Sequence, residues 1–136
     1  MLFMGLLPPS KEVIALKSKS AETHIKRVKE ALKAMVFDLR YAALDACQSV
    51  IMFYYKKQPD AKSMPQYLQK LIDEKKLEPE FLEKFKKLNK LWKDIDHEVV
   101  KEITPEYVAE AFKLSNEIVS KMKQLLPKDI EDSIMV

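Results

Sequence analysis

The chain is almost without glycine and cysteine: among its 136 residues, Gly5 and Cys47 are the only ones of their kind. A lone glycine excludes the glycine-rich loops that cradle nucleotide phosphates. A lone cysteine excludes an intrachain disulfide and a cysteine-clustered zinc site, and it points to a reducing compartment. Arginine is scarce as well, with Arg27 and Arg40 standing in a basic complement that is otherwise lysine. No proline falls between Pro9 and Pro59, so nothing in that stretch forbids a helix. High Lys and Glu content together with scarce Gly and Cys points to a thermophilic source.

Long apolar runs are lacking too. Residues 1–7 are apolar, but no basic residue precedes them, and they fall far short of the ~20 residues that span a bilayer. A cytoplasmic protein with no membrane association is expected. The net charge of +3 is too small to announce a nucleic-acid binder by bulk electrostatics, so only a local arrangement of lysines can do so.

What the chain does have is a folding balance, 47% apolar and 33% charged residues, at a length that fits one domain with one core. A single helical domain over residues 1–136 is expected, with residues 1–9 as an apolar leading segment and residues 127–136 as a loosely held tail.

The periodicity is helical throughout. Ser10 follows Pro8-Pro9 and is placed to cap a helix. Ile25, Val28, Leu32, Met35, Leu39, Ala43, Ala46, Val50 and Tyr54 then recur at steps of three or four, which puts them on one helical face. A hairpin break is expected near Phe37-Asp38, because Asp can cap a new helix and compact domains rarely keep a helix approaching forty residues. Gln58-Pro59-Asp60-Ala61 reads as a loop. Ser63-Met64-Pro65 then caps a short helix carrying Tyr67, Leu68, Leu71 and Ile72.

Glu78-Pro79 opens the next helix, with Phe81, Phe85, Leu88, Trp92, Ile95 and Val99 as its core seam. Thr104-Pro105-Glu106 starts the last one, with Thr104 as N-cap and Pro105 at the first helical position. Its expected core positions are Val108, Ala111, Phe112, Ser115, Val119, Met122 and Leu126. No strand pattern or repeat competes. The fold class is all-α: a four-helix up-and-down type bundle with an extra short helix between the second and third long helices.

Two helical faces carry information beyond the core. On the Pro79 helix, Lys86, Lys90, Lys93 and His97 fall within about 60° of one another, opposite the apolar seam, at about 100° per residue. Lysines on successive turns suit the phosphates of a polyanion, whose counterions they release. The plainer reading is a solvated face, with Glu80–Lys84 and Glu83–Lys87 pairs beside it. On the helix from Asp38 to Lys57, Tyr41, Leu44, Ile51, Met52 and Tyr55 form a second apolar stripe. It belongs either to the most central helix of the bundle or to an interface with a partner subunit.

Catalytic chemistry is mostly excluded. Cys47 lies next to the core face of an apolar helix, where a thiolate is disfavoured. The Glu-x-x-His pairs of di-iron bundles fail, since Ala21 and Asp94 stand three before His24 and His97. Asp94 and His97 offer a metal two ligands from one turn, but no second histidine cluster completes a shell. No metal and no cofactor are expected.

The segment Leu39-Arg40-Tyr41-Ala42-Ala43-Leu44-Asp45-Ala46-Cys47-Gln48, the loop at Pro59, and the helix ending Lys93-Asp94-Ile95-Asp96-His97-Glu98-Val99-Val100 before a fourth helix together resemble the HEPN domain family, over roughly residues 25–126. The resemblance implies a small helical bundle, often dimeric. It implies either a metal-independent ribonuclease of toxin–antitoxin and defence systems or a noncatalytic partner of a small nucleotidyltransferase. Ribonuclease members carry an Arg followed four to six residues later by His. Here Trp92, Leu91 and Lys90 stand five, six and seven before His97, so that Arg is missing, and Lys93 is the nearest basic residue upstream. A lysine is a point charge and does not reproduce the forked donor that an arginine offers a scissile phosphate.

The expected role is therefore a noncatalytic protein-interaction and dimerisation module: a homodimer, or the partner of a nucleotidyltransferase subunit, using Tyr41, Leu44, Ile51, Met52 and Tyr55. The alternative is an RNA binder or weak ribonuclease, with His97 as acid/base and Lys93 or Lys90 on phosphate.

Overall fold

The structure, a computed structural model, describes residues 8–132. The apolar leading residues 1–7 and the tail residues 133–136 lie outside the described residues. The chain is all-α, with the order α1 (Lys11–Tyr55), α2 (Met64–Asp73), α3 (Glu80–Asp96), α4 (Pro105–Leu125) and the short α5 (Lys128–Asp132). It divides into two compact units, Met1–Ala31 and Leu32–Val136.

Two helices begin as their sequences dictate. The Ser10 hydroxyl accepts from the Val13 amide at 3.2 Å, and the Thr104 hydroxyl accepts from the Tyr107 amide at 3.1 Å with Pro105 following it. Each satisfies one of the amides left unpaired at a helix start. Ser63 is placed as the α2 cap, but its side chain makes no capping bond. Asp60 does that work instead, its carboxylate accepting from the Ser63 amide at 2.8 Å. That contact holds the Asp60 carboxyl below its ordinary value.

The helix ends are built without glycine. Lys56, Lys75 and Glu98 adopt the left-handed region at φ 58°, 61° and 59°, directly after α1 and just beyond the ends of α2 and α3. A non-glycine residue there costs roughly 1–2 kcal/mol, and the surrounding caps hold it. After α2, the Lys76 amide donates to the Leu71 carbonyl and the Lys75 amide to the Ile72 carbonyl, both at 2.9 Å.

The expected break near Phe37-Asp38 is absent, since α1 runs unbroken through it. Asp38 is exposed, and no proline or glycine interrupts the turn. The first two long segments of the bundle are thus one helix, and α2 is the extra short helix that follows.

Within the Leu32–Val136 unit, four helices share one core. Val36, Ala43, Cys47, Val50 and Ile51 of α1 meet Leu68 and Leu71 of α2, Phe85 and Leu88 of α3, and Ala111, Ile118 and Met122 of α4. Fully burying each of the Val, Leu, Ile, Phe and Met side chains among them contributes about 1.5–3 kcal/mol. Polar ties from α1 to its neighbours fix the packing. Arg40 Nε donates to Asn89 Oδ1 of α3 at 3.0 Å. Gln48 donates to the Pro59 carbonyl at 2.9 Å, Ser115 of α4 to the Leu39 carbonyl at 2.7 Å, and Tyr54 to the Leu125 carbonyl at 2.9 Å.

Several expected core residues are exposed. In the Met1–Ala31 unit every described side chain is exposed, Ile25 and Val28 included; the segment buries nothing of its own. Met35 is exposed on the shoulder of the core beside buried Val36. Val99 lies beyond the end of α3, which closes at Asp96 with His97 as its cap. On α4 the buried positions are Ala111, Leu114, Ser115, Ile118 and Met122. The helix is therefore turned so that Phe112 faces out and Val119 is only half-buried.

Candidate functional site: an apolar groove and a basic groove

Three side chains of the second apolar stripe on α1 behave differently from the other two. Leu44 and Ile51 are buried in the chain's own core, which corrects their expected place at an interface. The reason is that α1 is tied to all three neighbouring helices, through Asn89, Ser115 and the α2 end, so its buried arc is wide. Tyr55 is half-buried. Its hydroxyl donates to Glu74 Oε1 at 2.7 Å, and its ring receives the Lys70 ammonium 4.3 Å from the centroid. Burial first, then the Glu74 contact, push the Tyr55 phenol up. Tyr41 and Met52 remain outside, 43% and 45% exposed. Tyr41 lies tilted against Phe37, ring centroids 4.7 Å apart, and the Phe37 ring in turn meets Trp92 edge to face at 4.9 Å.

A second exposed apolar surface lies on the other flank of α1. Met35, Asp38 and Leu39 of α1 and Pro105, Val108, Ala109 and Phe112 of α4 line one groove. Phe112 is 57% exposed and Met35 51%. The sequence assigned Met35, Leu39, Val108 and Phe112 to the core by period alone. A helical period shows that residues share a face; it does not say whether that face is covered.

The lysine stripe forms the wall of a second concave surface. Lys86, Asn89, Lys90, Lys93, Asp94 and His97 of α3 and its cap face Ala61 and Lys62 of the turn before α2 and Pro65 of its first turn. Lys62 has no place on any helical face read from the sequence, because it lies in a loop. Lys90 is paired with Asp94 at 2.8 Å. Lys86, Lys93 and the His97 ring have no hydrogen-bond or ion-pair partner among the described residues. Of the two flanking pairs expected, Lys84 reaches Glu80 at 3.9 Å and also Glu117 at 3.5 Å. Lys87 turns instead to Glu110 of α4 at 2.6 Å.

Compared with known proteins, the chain matches no family model, no curated protein and no solved structure. The site's chemistry is thus carried by its geometry alone. Among the described residues no group of His, Cys, Asp and Glu side chains is placed to hold a metal ion. No helix among them is long and apolar enough to cross a membrane.

Cys47 is fully buried in the core, and desolvation pushes its thiol up to about 12. The thiolate is the reactive form. In the folded chain Cys47 is therefore expected to resist iodoacetamide at pH 8 and to react fully in 6 M guanidinium at about the rate of a free thiol. Equal labelling in both states, read by intact mass, would show that the core opens at that point.

Proposed function

We propose that the chain is a noncatalytic helical bundle of the HEPN type that acts as a protein-interaction and dimerisation module. A small nucleotidyltransferase subunit, or the other half of a toxin–antitoxin pair, is its heterologous partner. The observation that carries this reading is the groove between α1 and α4, where Met35 and Phe112 stay more than half exposed beside Leu39 and Val108. Large apolar and aromatic side chains gathered in one concavity are the usual anchors of an interface. The closed environment of Cys47 and the missing arginine before His97 support a noncatalytic role.

Calorimetric titration with a small nucleotidyltransferase subunit tests the reading. The parent chain is expected to bind, and Phe112→Glu to bind at least about tenfold more weakly, the loss of an anchor worth 1.4 kcal/mol or more. Because Phe112 is exposed, its replacement is expected to leave the unfolding midpoint nearly unchanged. No heat with the parent, or equal affinity in the variant, contradicts the reading.

A second reading is favoured by the basic groove: Lys62, Lys86, Lys90, Lys93 and His97 line one concave surface, where a phosphate chain has donors on two sides. In that reading His97 is the acid/base and Lys93 a phosphate ligand of a weak metal-independent ribonuclease, or both only bind RNA. The variant carrying Lys86→Glu, Lys90→Glu and Lys93→Glu is then expected to lose RNA affinity and to flatten the salt dependence by about one log–log unit per phosphate contact. Unchanged binding, followed by fluorescence anisotropy from 50 to 300 mM salt, would leave the stripe a solubilising face.

A further inference from the structure

Arg40 is one of the two arginines in the chain and the one that belongs to the Leu32–Val136 unit. It is half-buried where α1 meets α3. Its Nε donates to Asn89 Oδ1 at 3.0 Å, and its guanidinium carbon lies 5.6 Å from the centre of the Tyr41 ring. A guanidinium carries five N–H donors in one fixed plane, and the tie from α1 to α3 uses one of them. No carboxylate among the described residues pairs with Arg40, and its two Nη groups have no hydrogen-bond partner there. No buried side-chain nitrogen or oxygen among those residues lacks a partner, so the Nη fork opens to solvent.

The fork lies beside the basic groove. Asn89, which holds it, is itself part of the groove wall with Lys86, Lys93 and His97. On α3 it stands three residues after Lys86 and four before Lys93, the spacings at which side chains are neighbours on a helix surface. The bond to Asn89 fixes the guanidinium in advance, so less side-chain freedom is lost when an anion docks on it. A lysine meets phosphate as a point charge, whereas a planar fork takes two of its oxygens at once. We infer that Arg40 is a phosphate-binding residue of the basic groove. Its Nη fork takes two oxygens of an RNA phosphodiester that Lys86 and Lys93 draw in, and Asn89 is the positioning residue that holds the fork. The inference deepens the RNA reading of that groove and rests on it, adding a donor from α1 to a wall that α3 and the turn before α2 build.

Fluorescence anisotropy of the full-length chain with a labelled single-stranded RNA, from 50 to 300 mM salt, tests the assignment. Arg40→Lys keeps the charge and loses the fork. It is expected to bind about tenfold more weakly, the loss of one charge-assisted hydrogen bond, with the log–log salt slope unchanged. Arg40→Met removes the charge as well, and is expected to bind more weakly still and to flatten the slope by about one unit. Asn89→Ala releases the fork without changing any charge, and is expected to weaken binding several-fold at an unchanged slope. A tie that is merely structural shifts the denaturation midpoint of all three variants but leaves the affinity and slope of the folded protein at the parent's values. Folded Arg40→Lys and Arg40→Met chains that bind as the parent does, while the triple lysine variant loses affinity, overturn the inference and leave the RNA reading standing. A parent that binds no RNA at 50 mM salt removes both. If Arg40→Met does not fold, Arg40→Lys and Asn89→Ala decide the matter by the same two readouts.

Discussion

Phe85→Ala is expected to lower the unfolding free energy by about 3–5 kcal/mol, the cost of emptying a phenyl-sized space in a core that relaxes only in part. Phe85 is 2% exposed and sits among the buried side chains of the four helices, α1 to α4, that share the core. Domains of this size hold only about 5–15 kcal/mol in all, so this substitution takes a large share of the stability. Phe112→Ala is the control. Both residues are phenylalanines that the helical period places on core faces, yet Phe112 lines an open groove and is expected to cost no more than about 0.5 kcal/mol. Urea denaturation of the two variants checks the rotation of α4. Similar losses in both would mean that Phe112 is covered.

The second large effect separates neighbours on α1. Ile51→Ala is expected to cost about 2–5 kcal/mol and Met52→Ala less than about 0.5 kcal/mol, because Ile51 is wholly buried and Met52 is not. The comparison also decides what buries Ile51. A residue covered by its own chain gives a loss that is independent of protein concentration, whereas one covered by a partner gives a loss that changes with concentration. An Ile51→Ala loss, taken against the parent at the same concentration, that changes with protein concentration would return Ile51 to the interface role its sequence position first gave it.

The helical class, the caps at Ser10 and Thr104, and the α3 seam from Phe81 to Ile95 were legible in the sequence. Each rests on a local signal: a hydroxyl before an apolar period, a proline at a first turn, or a stripe with a charged opposite face. The missing break in α1 was not legible. Asp38 is a good cap residue, but a cap residue in the middle of a long helix can point to solvent, and only tertiary contacts tell the two apart. Exposure at Ile25, Val28, Met35 and Phe112 was hidden for a related reason, since the period that marks a covered face also marks one awaiting cover. The split of the second stripe into buried Leu44 and Ile51 and exposed Tyr41 and Met52 follows from contacts with Asn89, Ser115 and the end of α2, which no local pattern carries. The basic stripe was found by its helical spacing, and Lys62 was missed because the loop that brings it there has no period.

Acid is expected to act on the edges of the bundle first. Hydrogen bonds from Tyr55 and Lys76 hold the Glu74 carboxyl below its ordinary value of 4.5, and the Lys121 contact does the same for Glu78. A carboxyl depressed in the folded state contributes stability above its ordinary value and loses it as the pH falls through the folded one. These ties between the end of α1, the α2–α3 turn and α4 thus weaken below about pH 4.5, while the apolar core does not titrate.

The account's central claim is that this chain is a protein-interaction and dimerisation module. The most direct measurement is the solution mass of the unmodified full-length chain, followed by light scattering coupled to size exclusion across a hundredfold range of concentration. The account predicts a mass of about twice 15.9 kDa that declines toward the single chain only on dilution. A mass of 15.9 kDa at every concentration would contradict it.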